Sequence, residues 1–391
     1  MTAAVTVEVI RERWRMGVEA RALVMVTAML LVLGLATVYS ATVIVAQQKN
    51  LTPSYYLIRQ LVGAGAGIVA FALCAKIDAE RYRAYAWKLM IAAMAAMFAV
   101  LVLSPDVNGS KRFLISHAVQ PSEFAKLAVI LWTAMLAAKK GDQLRHLGKG
   151  LLPFFAVNGA LALLAILEPD ISVALFYLAL MGAMLFVAGA RVGHFLLIGL
   201  LVIPLAWGRM NGYVKCRVAS WNNGPIAVGC AQDINLQTRQ SMIAIGSGRM
   251  FGVGFGEGRQ QSGFLPFQYT DFIGSNVGEE WGFVGITTVV LLFWGYAWLG
   301  FRIARDARSQ FLQLTAVGLT LATVTTAFVH LAVITGLFPN TGLTLPFVSY
   351  GRSNLLISLL MTGILVNIGS TRERVYSDAL PDPLLGRGSF K

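Results

Sequence analysis

The chain has 391 residues, of which 57% are hydrophobic and only 13% are charged, and its formal net charge is +13. A soluble protein of this length carries more charge, so the composition excludes a soluble globular chain. The basic excess would suit nucleic-acid binding, but most Lys and Arg residues fall in short loops on one side of the predicted spans, which argues against that partner.

Uninterrupted apolar runs of about 17–25 residues, the length that crosses a hydrocarbon core, recur along the chain. Because these runs do not alternate with polar residues, they exclude a β-barrel. They predict an all-α polytopic membrane protein with about ten transmembrane helices. No cleavable signal peptide is expected, since the first apolar run is too long for one. The predicted spans are 22–46, 57–75, 85–103, 121–138, 151–167, 171–188, 192–207, 277–301, 312–337 and 345–368.

A polar segment of about 70 residues, 208–276, separates the seventh and eighth spans and is far longer than an ordinary connection. The basic loops predict that both termini are cytoplasmic, so this long loop is extracytoplasmic. The predicted organisation is a cytoplasmic tail over 1–21, a transmembrane core over 22–371 and a C-terminal tail over 372–391. The polar, proline-containing composition of that last tail predicts disorder.

The three cysteines agree with this topology. Cys74 lies in a span and is interpreted as a small packing residue. Cys216 and Cys230 both lie in the long loop, where an oxidising compartment would permit a disulfide; two unpaired thiols are the alternative.

The end of the long loop carries three carboxylates within ten residues: Asp271, Glu279 and Glu280. Asn276 and Glu279 have capping-box spacing, which predicts that they begin the eighth span and that Glu279 and Glu280 are structural. Asp271 has a weaker structural explanation, although a lone acid can simply introduce a helix. Its apolar and aromatic neighbours would desolvate it and make it a better proton acceptor, so Asp271 is the candidate catalytic base.

Basic residues cluster where the fourth span begins. Lys111, Arg112 and Lys126 are candidates for binding an anion at the bilayer surface, and Glu123 lies on the same helix face as Lys126. The alternative is a helix cap in Glu123 and a lysine that snorkels outward.

Two further stretches are rich in glycine or proline. The first, 239–259, lacks the G-x-G-x-x-G spacing of dinucleotide sites, but its backbone N–H groups suit a phosphate, and Arg239, Arg249 and Arg259 favour an anionic partner. A mobile, turn-rich loop is the alternative. The second, 339–354, predicts irregular backbone facing a cavity, with Arg352 requiring an anionic or polar partner. The four histidines are scattered without zinc-ligand spacing.

Together these motifs resemble the SEDS (shape, elongation, division and sporulation) family of FtsW, RodA and SpoVE type. The matching runs are Gly-x-x-Arg-Phe at 109–113, Gln-Pro-Ser-Glu-Phe-x-Lys at 120–126, Glu-Pro-Asp at 168–170, Gln-Ser-x-x-Ala-Ile-Gly-Ser-Gly at 240–248, Thr-Asp-Phe-Ile at 270–273, Glu-Glu-x-Gly at 279–282 and Leu-Thr-Leu-Pro-Phe-Val-Ser-Tyr-Gly at 343–351. The run before Pro346 looks closer to FtsW than to RodA. Three positions depart from the family pattern: Tyr269 replaces a common His, Phe267 a common Glu and Arg352 a common Gly.

The resemblance implies a peptidoglycan glycosyltransferase of the bacterial cytoplasmic membrane that polymerises lipid II at the outer face, in cell division or cell-shape maintenance. It implies Asp271 as the catalytic residue and Glu279, Glu280 and Pro346 as structural support. It also implies a class B penicillin-binding protein and other divisome or elongasome proteins as partners. The candidates for binding the substrate and its diphosphate are Lys111, Arg112, Glu123, Lys126, Gln240, Ser241, Arg249 and Ser349.

No cofactor is predicted, although a divalent cation, Mg²⁺ or Mn²⁺, bridging the diphosphate stays open without a ligand cluster to hold it. Two other functions remain as alternatives: a lipid II flippase and a non-catalytic scaffold for the transpeptidase. Polar residues concentrate at the outer mouths of the spans rather than along a transbilayer path, which favours the enzyme.

Overall fold

The computed structural model describes residues 10–104, 120–195, 200, 221 and 232–376, and these ranges are mostly helical. By length and composition, seven of the described helices are able to cross a membrane, and two shorter apolar helices accompany them. The prediction of an all-α polytopic membrane protein is therefore confirmed.

The first half of the chain follows its apolar runs closely. The helices are α1 (Val18–Gln48), α2 (Tyr55–Lys76), α3 (Tyr82–Leu103), α4 (Pro121–Lys140), α5 (Leu152–Leu167) and α6 (Ile171–Val187). Local chemistry marks two of the starts: a proline opens α4, and the Asp170 carboxylate accepts from the Val173 N–H at 3.4 Å to cap α6. The predicted seventh span, 192–207, lies mostly outside the described residues.

The second half contains α7 (Gln232–Ser247), α8 (Ile273–Arg305), α9 (Gln310–Ile334) and α10 (Arg352–Ile368). The last three correspond to the predicted eighth, ninth and tenth spans. Helix α7 lies within the long polar loop, where no apolar run predicts it.

Two helix boundaries correct the sequence predictions. Helix α8 begins at Ile273 with Phe272 at the N-cap, so Asn276 is a buried residue inside the helix and the predicted capping box is wrong. Helix α10 begins at Arg352 rather than Leu345. The reason is a tight turn in which the N–H groups of Val348 and Ser349 both donate to the Leu345 carbonyl, at 3.3 and 2.9 Å.

A two-stranded antiparallel ribbon joins the two ends of the chain. Strand β1 (Ile10–Met16) pairs with β2 (Ser370–Tyr376) in a register that sets Glu12 opposite Arg374 and Arg13 opposite Glu373. Strand β2 includes residues 372–376 of the predicted C-terminal tail, and the remainder of that tail lies outside the described residues.

The ribbon and Asp271 mark opposite ends of the helical bundle. Helix α1 starts beside the ribbon, where the Gly17 N–H donates to the Gly369 carbonyl at 3.2 Å. Its 31 residues span about 46 Å and lead to Lys49, which lies close enough to Tyr269 to interact electrostatically. We call these the terminal end and the Asp271 end of the bundle.

Helices α4 and α9 form the centre of the bundle. Both are buried around most of their circumference, whereas α2 and α3 expose apolar side chains outward. A helix that is apolar on its exposed face suits contact with lipid, so α2 and α3 belong to the perimeter. The central position of α4 places its first turn at the Asp271 end, inside the protein rather than at the lipid surface.

Candidate active site

Asp271 lies in a tight turn immediately before α8. The N–H groups of Thr270 and Asp271 both donate to the Phe267 carbonyl at 3.1 Å, and Phe267 adopts a left-handed φ of 57°. The Asp271 side chain is half-buried, and its Oδ2 would lie 3.8 Å from a Cβ added to Gly342. The backbone thus holds this carboxylate against the segment that precedes α10.

Three tyrosines form a cluster beside Asp271. The ring centroids of Tyr56, Tyr269 and Tyr350 lie 5.5–5.7 Å apart, and the Tyr350 N–H donates to the Tyr269 carbonyl at 2.9 Å. Burial raises the pKa of Tyr269 and of Tyr350 above the ordinary value of about 10. Both phenols are therefore neutral at physiological pH, and the cluster presents aromatic surface and hydroxyl groups rather than charge.

Gln60 joins α2 to the irregular segment before α10. Its side chain is buried, its Nε2 donates to the Ser349 carbonyl at 3.1 Å, and its Oε1 accepts from the Gly351 N–H at 3.2 Å. One amide therefore satisfies two backbone groups that the interrupted helix leaves without helical partners. Gln60 was not among the residues predicted from the sequence; a lone amide within an apolar run was the available signal.

Ser349 links the same segment to the Asp271 turn. Its hydroxyl donates to the Thr270 carbonyl at 2.7 Å and accepts from the Leu345 N–H at 2.8 Å. The side chain is buried, as is neighbouring Pro346. The structure thus gives Ser349, a predicted substrate-binding residue, two contacts within the protein that fix the position of the turn.

His330 connects three elements at the Asp271 end. From α9, its Nδ1 lies 2.9 Å from the Leu343 carbonyl, and its Nε2 accepts from the Gly274 N–H at 3.3 Å. These contacts are mutually consistent when Nδ1 carries the proton. The imidazole is fully enclosed and holds the start of α8 next to the segment before α10.

Two cations lie beside the tyrosines where α1 leads into α2. Lys49 Nζ donates to the Tyr56 hydroxyl at 3.2 Å, and this hydrogen bond raises the pKa of Lys49. Arg59 Nη1 donates to the Tyr55 hydroxyl at 2.7 Å, with the guanidinium 5.2 Å from that ring centroid. Both basic side chains add positive potential to the Asp271 end.

Glu123 and Lys126 form a buried ion pair in the first turn of α4. Lys126 Nζ lies 2.8 and 2.9 Å from the two carboxylate oxygens, and the two side chains are only 7% and 5% exposed. The Tyr177 hydroxyl donates to the Ser122 carbonyl at 2.7 Å, which fixes the same turn against α6. The lysine is therefore engaged by a carboxylate rather than snorkelling outward as the alternative interpretation expected.

Of the remaining predicted substrate-binding residues, Ser241 is the most fully engaged. Its Oγ lies 2.6 Å from the Ser275 Oγ and donates to the Ile334 carbonyl at 2.7 Å, joining α7 to α8 and α9. Gln240 is half-buried and Arg249 is exposed with φ 47°. The other two predicted cations, Lys111 and Arg112, lie outside the described residues.

The glycine-rich segment packs its backbone directly against α8. Helix α8 is broken at Gly282, which has φ 66° and ψ −156°. The Val253 and Gly254 N–H groups donate to the Glu279 and Glu280 carbonyls at 3.0 and 3.1 Å. In the other direction, the N–H groups of residues 283 and 284 donate to the carbonyls of residues 249 and 250 at 2.9 and 3.2 Å. These bonds replace those lost at the break, so the N–H groups of residues 253 and 254 are not available to a phosphate.

The two adjacent glutamates of α8 hold the loop that leads to Asp271. The Glu279 carboxylate accepts from the N–H groups of Arg259 and Gln260, at 2.9 and 3.3 Å. The Glu280 carboxylate accepts from the Gln261 side chain and from the Ser40 hydroxyl of α1. Both glutamates are buried, and their contacts with a loop about 20 residues earlier give them a supporting role by a route that the capping prediction did not foresee.

Gln268 completes this support. Its Nε2 donates to the Gln261 carbonyl at 3.1 Å and to the Ala41 carbonyl of α1 at 3.2 Å. The loop from residue 259 to residue 268 is thus attached to α1 and α8 at several points before it reaches the Asp271 turn. Gln261 and Gln268 look like ordinary loop residues in the sequence and were not predicted.

Within the described ranges, no group of three or more His, Cys, Asp or Glu side chains is arranged to hold a metal ion. Cys74 is a buried free thiol, as its position in an apolar run predicted. The predicted disulfide between Cys216 and Cys230 lies outside the described residues.

Comparison with known proteins adds to this geometry. The model of a cell cycle protein family named for FtsW, RodA and SpoVE matches residues 21–374. A protein of Trichlorobacter lovleyi named as a probable peptidoglycan glycosyltransferase FtsW is 35% identical over 372 residues, covering 93% of this chain and 96% of the relative. Stage V sporulation protein E of Bacillus subtilis is 34% identical, covering 88% and 95%.

Solved structures are similar as well. A chain from a peptidoglycan synthase complex, studied for its coordination of polymerization and crosslinking, superimposes with a TM-score of 0.72. It is 26% identical, and the match covers 89% of this chain and 96% of the other. The rod shape determining protein RodA of Thermus thermophilus superimposes with a TM-score of 0.65 at 26% identity, covering 89% and 95%.

Proposed function

Because this chain belongs to the FtsW/RodA/SpoVE family of cell cycle proteins and is a peptidoglycan glycosyltransferase, we propose that it polymerises lipid II with Asp271 as the general base. The observation that carries the proposal is the placement of Asp271. Asp271 is half-buried, its turn accepts a hydrogen bond from the Ser349 hydroxyl, and it lies beside Tyr269 and Lys49, surroundings that suit a proton acceptor near an anionic substrate.

The protein is a multi-pass protein of the bacterial cytoplasmic membrane. We assign the terminal end of the bundle to the cytoplasm and the Asp271 end to the extracytoplasmic face. Basic residues in the short connections at the terminal end support this orientation through the positive-inside rule. They include Lys76, Arg81, Arg83, Lys139, Lys140, Arg302, Arg305 and Arg308.

In the proposed reaction, Asp271 removes the proton from the C4 hydroxyl of the acceptor's N-acetylglucosamine. The resulting oxygen nucleophile attacks C1 of the donor's N-acetylmuramic acid, and the bond from C1 to the diphosphate oxygen breaks on the opposite face. The anomeric centre is inverted, undecaprenyl diphosphate departs with the bonding electron pair, and the proton stays on Asp271 until solvent takes it. Half-burial of Asp271 limits its hydration and suits a proton acceptor.

The leaving diphosphate requires positive charge rather than a strong general acid. We assign Lys111 and Arg112 to this role. The Glu123–Lys126 pair lies in the first turn of α4 at the Asp271 end, and the carboxylate orients the buried lysine. Gln240 and Arg249 remain candidates for contacts with the head group, while Ser241 and Ser349 act by positioning helices and the Asp271 turn.

We propose a class B penicillin-binding protein as the working partner. The structural similarity to a chain of a complex that couples polymerization with crosslinking supports this assignment. The transpeptidase would crosslink the glycan strand that this chain elongates.

The test is polymerisation of purified lipid II by the protein reconstituted in proteoliposomes, with and without a cognate transpeptidase. Asp271→Asn keeps the shape of the side chain but removes the base, so we expect the rate to fall by about 100-fold or more. Asp142→Asn, a matched change at an exposed residue of the terminal end, serves as the control and should leave the rate unchanged.

The two variants must show the same elution volume and apparent Tm as the wild type. A folded Asp271→Asn protein that still polymerises lipid II at the wild-type rate would remove Asp271 from the mechanism. Translocation of the head group, measured in the same vesicles, separates the enzyme from a flippase: a flippase would move lipid II across the bilayer without forming glycan strands.

A further inference from the structure

Arg352 is a half-buried arginine at the Asp271 end that the proposed reaction has not used. It is the first residue of α10, and its stem lies against α2, where a Cβ added to Gly63 would come within 3.1–3.3 Å of its Cγ, Cα and Cβ atoms. In the part of the chain that the structure describes, its guanidinium makes no ion pair or hydrogen bond. An arginine at the start of a membrane-embedded helix usually pairs with an anion or a polar group, so Arg352 is a candidate to bind an anionic ligand.

Arg352 does not stand alone. Arg59 and Arg352 both act electrostatically on Tyr350, and Lys49 acts on Tyr269 in the same tyrosine cluster. Asp271 also acts on this cluster. Among the described residues these three cations outnumber that carboxylate, and the N-termini of α2 and α10 add the positive ends of two helix dipoles.

We propose that Arg352 and Arg59 form a binding site for the diphosphate of a membrane-anchored lipid. Guanidinium groups on adjacent helices present planar forks whose N–H groups match phosphate oxygens in pairs. The inference rests on the proposed function, because it assigns two further residues to the diphosphate that this reaction handles.

The surroundings favour a lipid rather than a free phosphate as the occupant. One turn of α2 around Arg59 exposes apolar side chains outward, with Ile58, Leu61 and Val62 exposed by 54%, 46% and 65%. An isoprenoid chain lying along that face would remain in the bilayer while its diphosphate reaches the two arginines.

The first experiment measures binding without turnover. The Asp271→Asn protein is placed in phosphatidylcholine nanodiscs and titrated with undecaprenyl diphosphate. Adding Arg352→Gln should weaken binding about tenfold, which corresponds to about 1.4 kcal/mol. Arg352→Lys should recover part of the loss, since it restores charge but not the fork. Arg305→Gln, an exposed arginine at the terminal end, is the matched control and should change nothing.

Undecaprenyl monophosphate and phosphatidylglycerol distinguish the possible ligands. Both should bind more weakly than the diphosphate and lose less affinity on Arg352→Gln. An equal loss for phosphatidylglycerol would overturn the diphosphate assignment in favour of a general anionic-lipid site. Unchanged affinity for undecaprenyl diphosphate in both Arg352→Gln and Arg59→Gln would refute the proposal that these arginines bind the diphosphate. If Arg352→Gln does not fold, the affinity of Arg59→Gln alone tests the proposal.

A separate measurement keeps this inference apart from the proposed function. In proteoliposomes, a wild-type protein that binds undecaprenyl diphosphate through Arg352 but does not polymerise lipid II would refute the polymerase assignment alone. A wild type that polymerises, together with an Arg352→Gln protein of unchanged KM and unchanged affinity, would refute only the arginine site.

Discussion

Gly252 is the point at which the structure and the phosphate-loop hypothesis make opposite predictions. At this residue the glycine-rich segment passes α8 so closely that an added Cβ would lie 2.0 Å from the Glu280 carbonyl oxygen and 2.3 Å from its carbon. The residue also has φ 84°. Gly256 lies four residues further on with φ 80°, yet a Cβ there meets nothing within 4 Å. Gly252→Ala and Gly256→Ala therefore both place a side chain on left-handed backbone, but only Gly252→Ala also causes a steric clash with α8.

The shared cost is the left-handed backbone, about 1–2 kcal/mol for a residue with a Cβ. Gly252→Ala must in addition push the segment away from α8, which loses the hydrogen bonds from Val253 N–H and Gly254 N–H at 3.0 and 3.1 Å. At about 0.5–1.5 kcal/mol each, these add about 1–3 kcal/mol. We therefore expect Gly252→Ala to cost about 2–5 kcal/mol and Gly256→Ala about 1–2 kcal/mol.

Thermal unfolding in detergent, followed by the loss of a monodisperse elution peak, compares the two variants at matched heating rate. Gly252→Ala should unfold at a clearly lower temperature than Gly256→Ala, and its lipid II polymerisation should fall because the break in α8 moves with the segment. Equal apparent Tm values, with both variants raising the KM for lipid II alike, would refute the structural account and restore the phosphate loop.

Two further predictions concern the ion pair of α4 and the tyrosine beside the base. Lys126→Met leaves the Glu123 carboxylate buried without its partner and should lower the free energy of unfolding by about 3 kcal/mol or more. In a double-mutant cycle followed by thermal unfolding, Lys126→Met combined with Glu123→Gln should destabilise the protein by less than the sum of the two single changes. Because burial raises the pKa of Tyr269 above its ordinary value, Tyr269→Phe should leave the pH–rate profile between about pH 6 and 8 unchanged. Tyr269→His should add an ionisation with a pKa of about 6.5 to that profile. A shifted profile in Tyr269→Phe would show that the phenol ionises during turnover.

The apolar runs of the sequence predicted where the helices lie but not how their ends are made. Nine predicted spans correspond to described helices, since the length of an apolar run is a local property. Their boundaries failed where a distant contact intervened. The N-cap of α8 is Phe272 rather than the predicted Asn276. The Glu279 carboxylate accepts hydrogen bonds from backbone N–H groups 20 and 19 residues earlier in the chain.

In the candidate site, too, local sequence pointed to some residues, whereas others depend on contacts between distant parts of the chain. Asp271 was proposed as a candidate base from the sequence because its neighbours are apolar and a structural role explained it less well. Gln60 was missed because its partners, Ser349 and Gly351, lie 289 and 291 residues away, and no local pattern announces them. The requirement for glycine at residue 252 was not predicted for the same reason, because the carbonyl that comes close to it belongs to α8.

By itself, the sequence determined that this chain is a membrane protein and in what order its spans follow, because the free energy of transferring each apolar segment out of water depends on that segment alone. It also singled out Asp271 as the candidate acid. Only the tertiary structure decided which polar groups satisfy one another at the Asp271 end. Buried hydrogen-bonding groups must find partners wherever the fold brings them, and that choice depends on contacts between residues far apart in the chain.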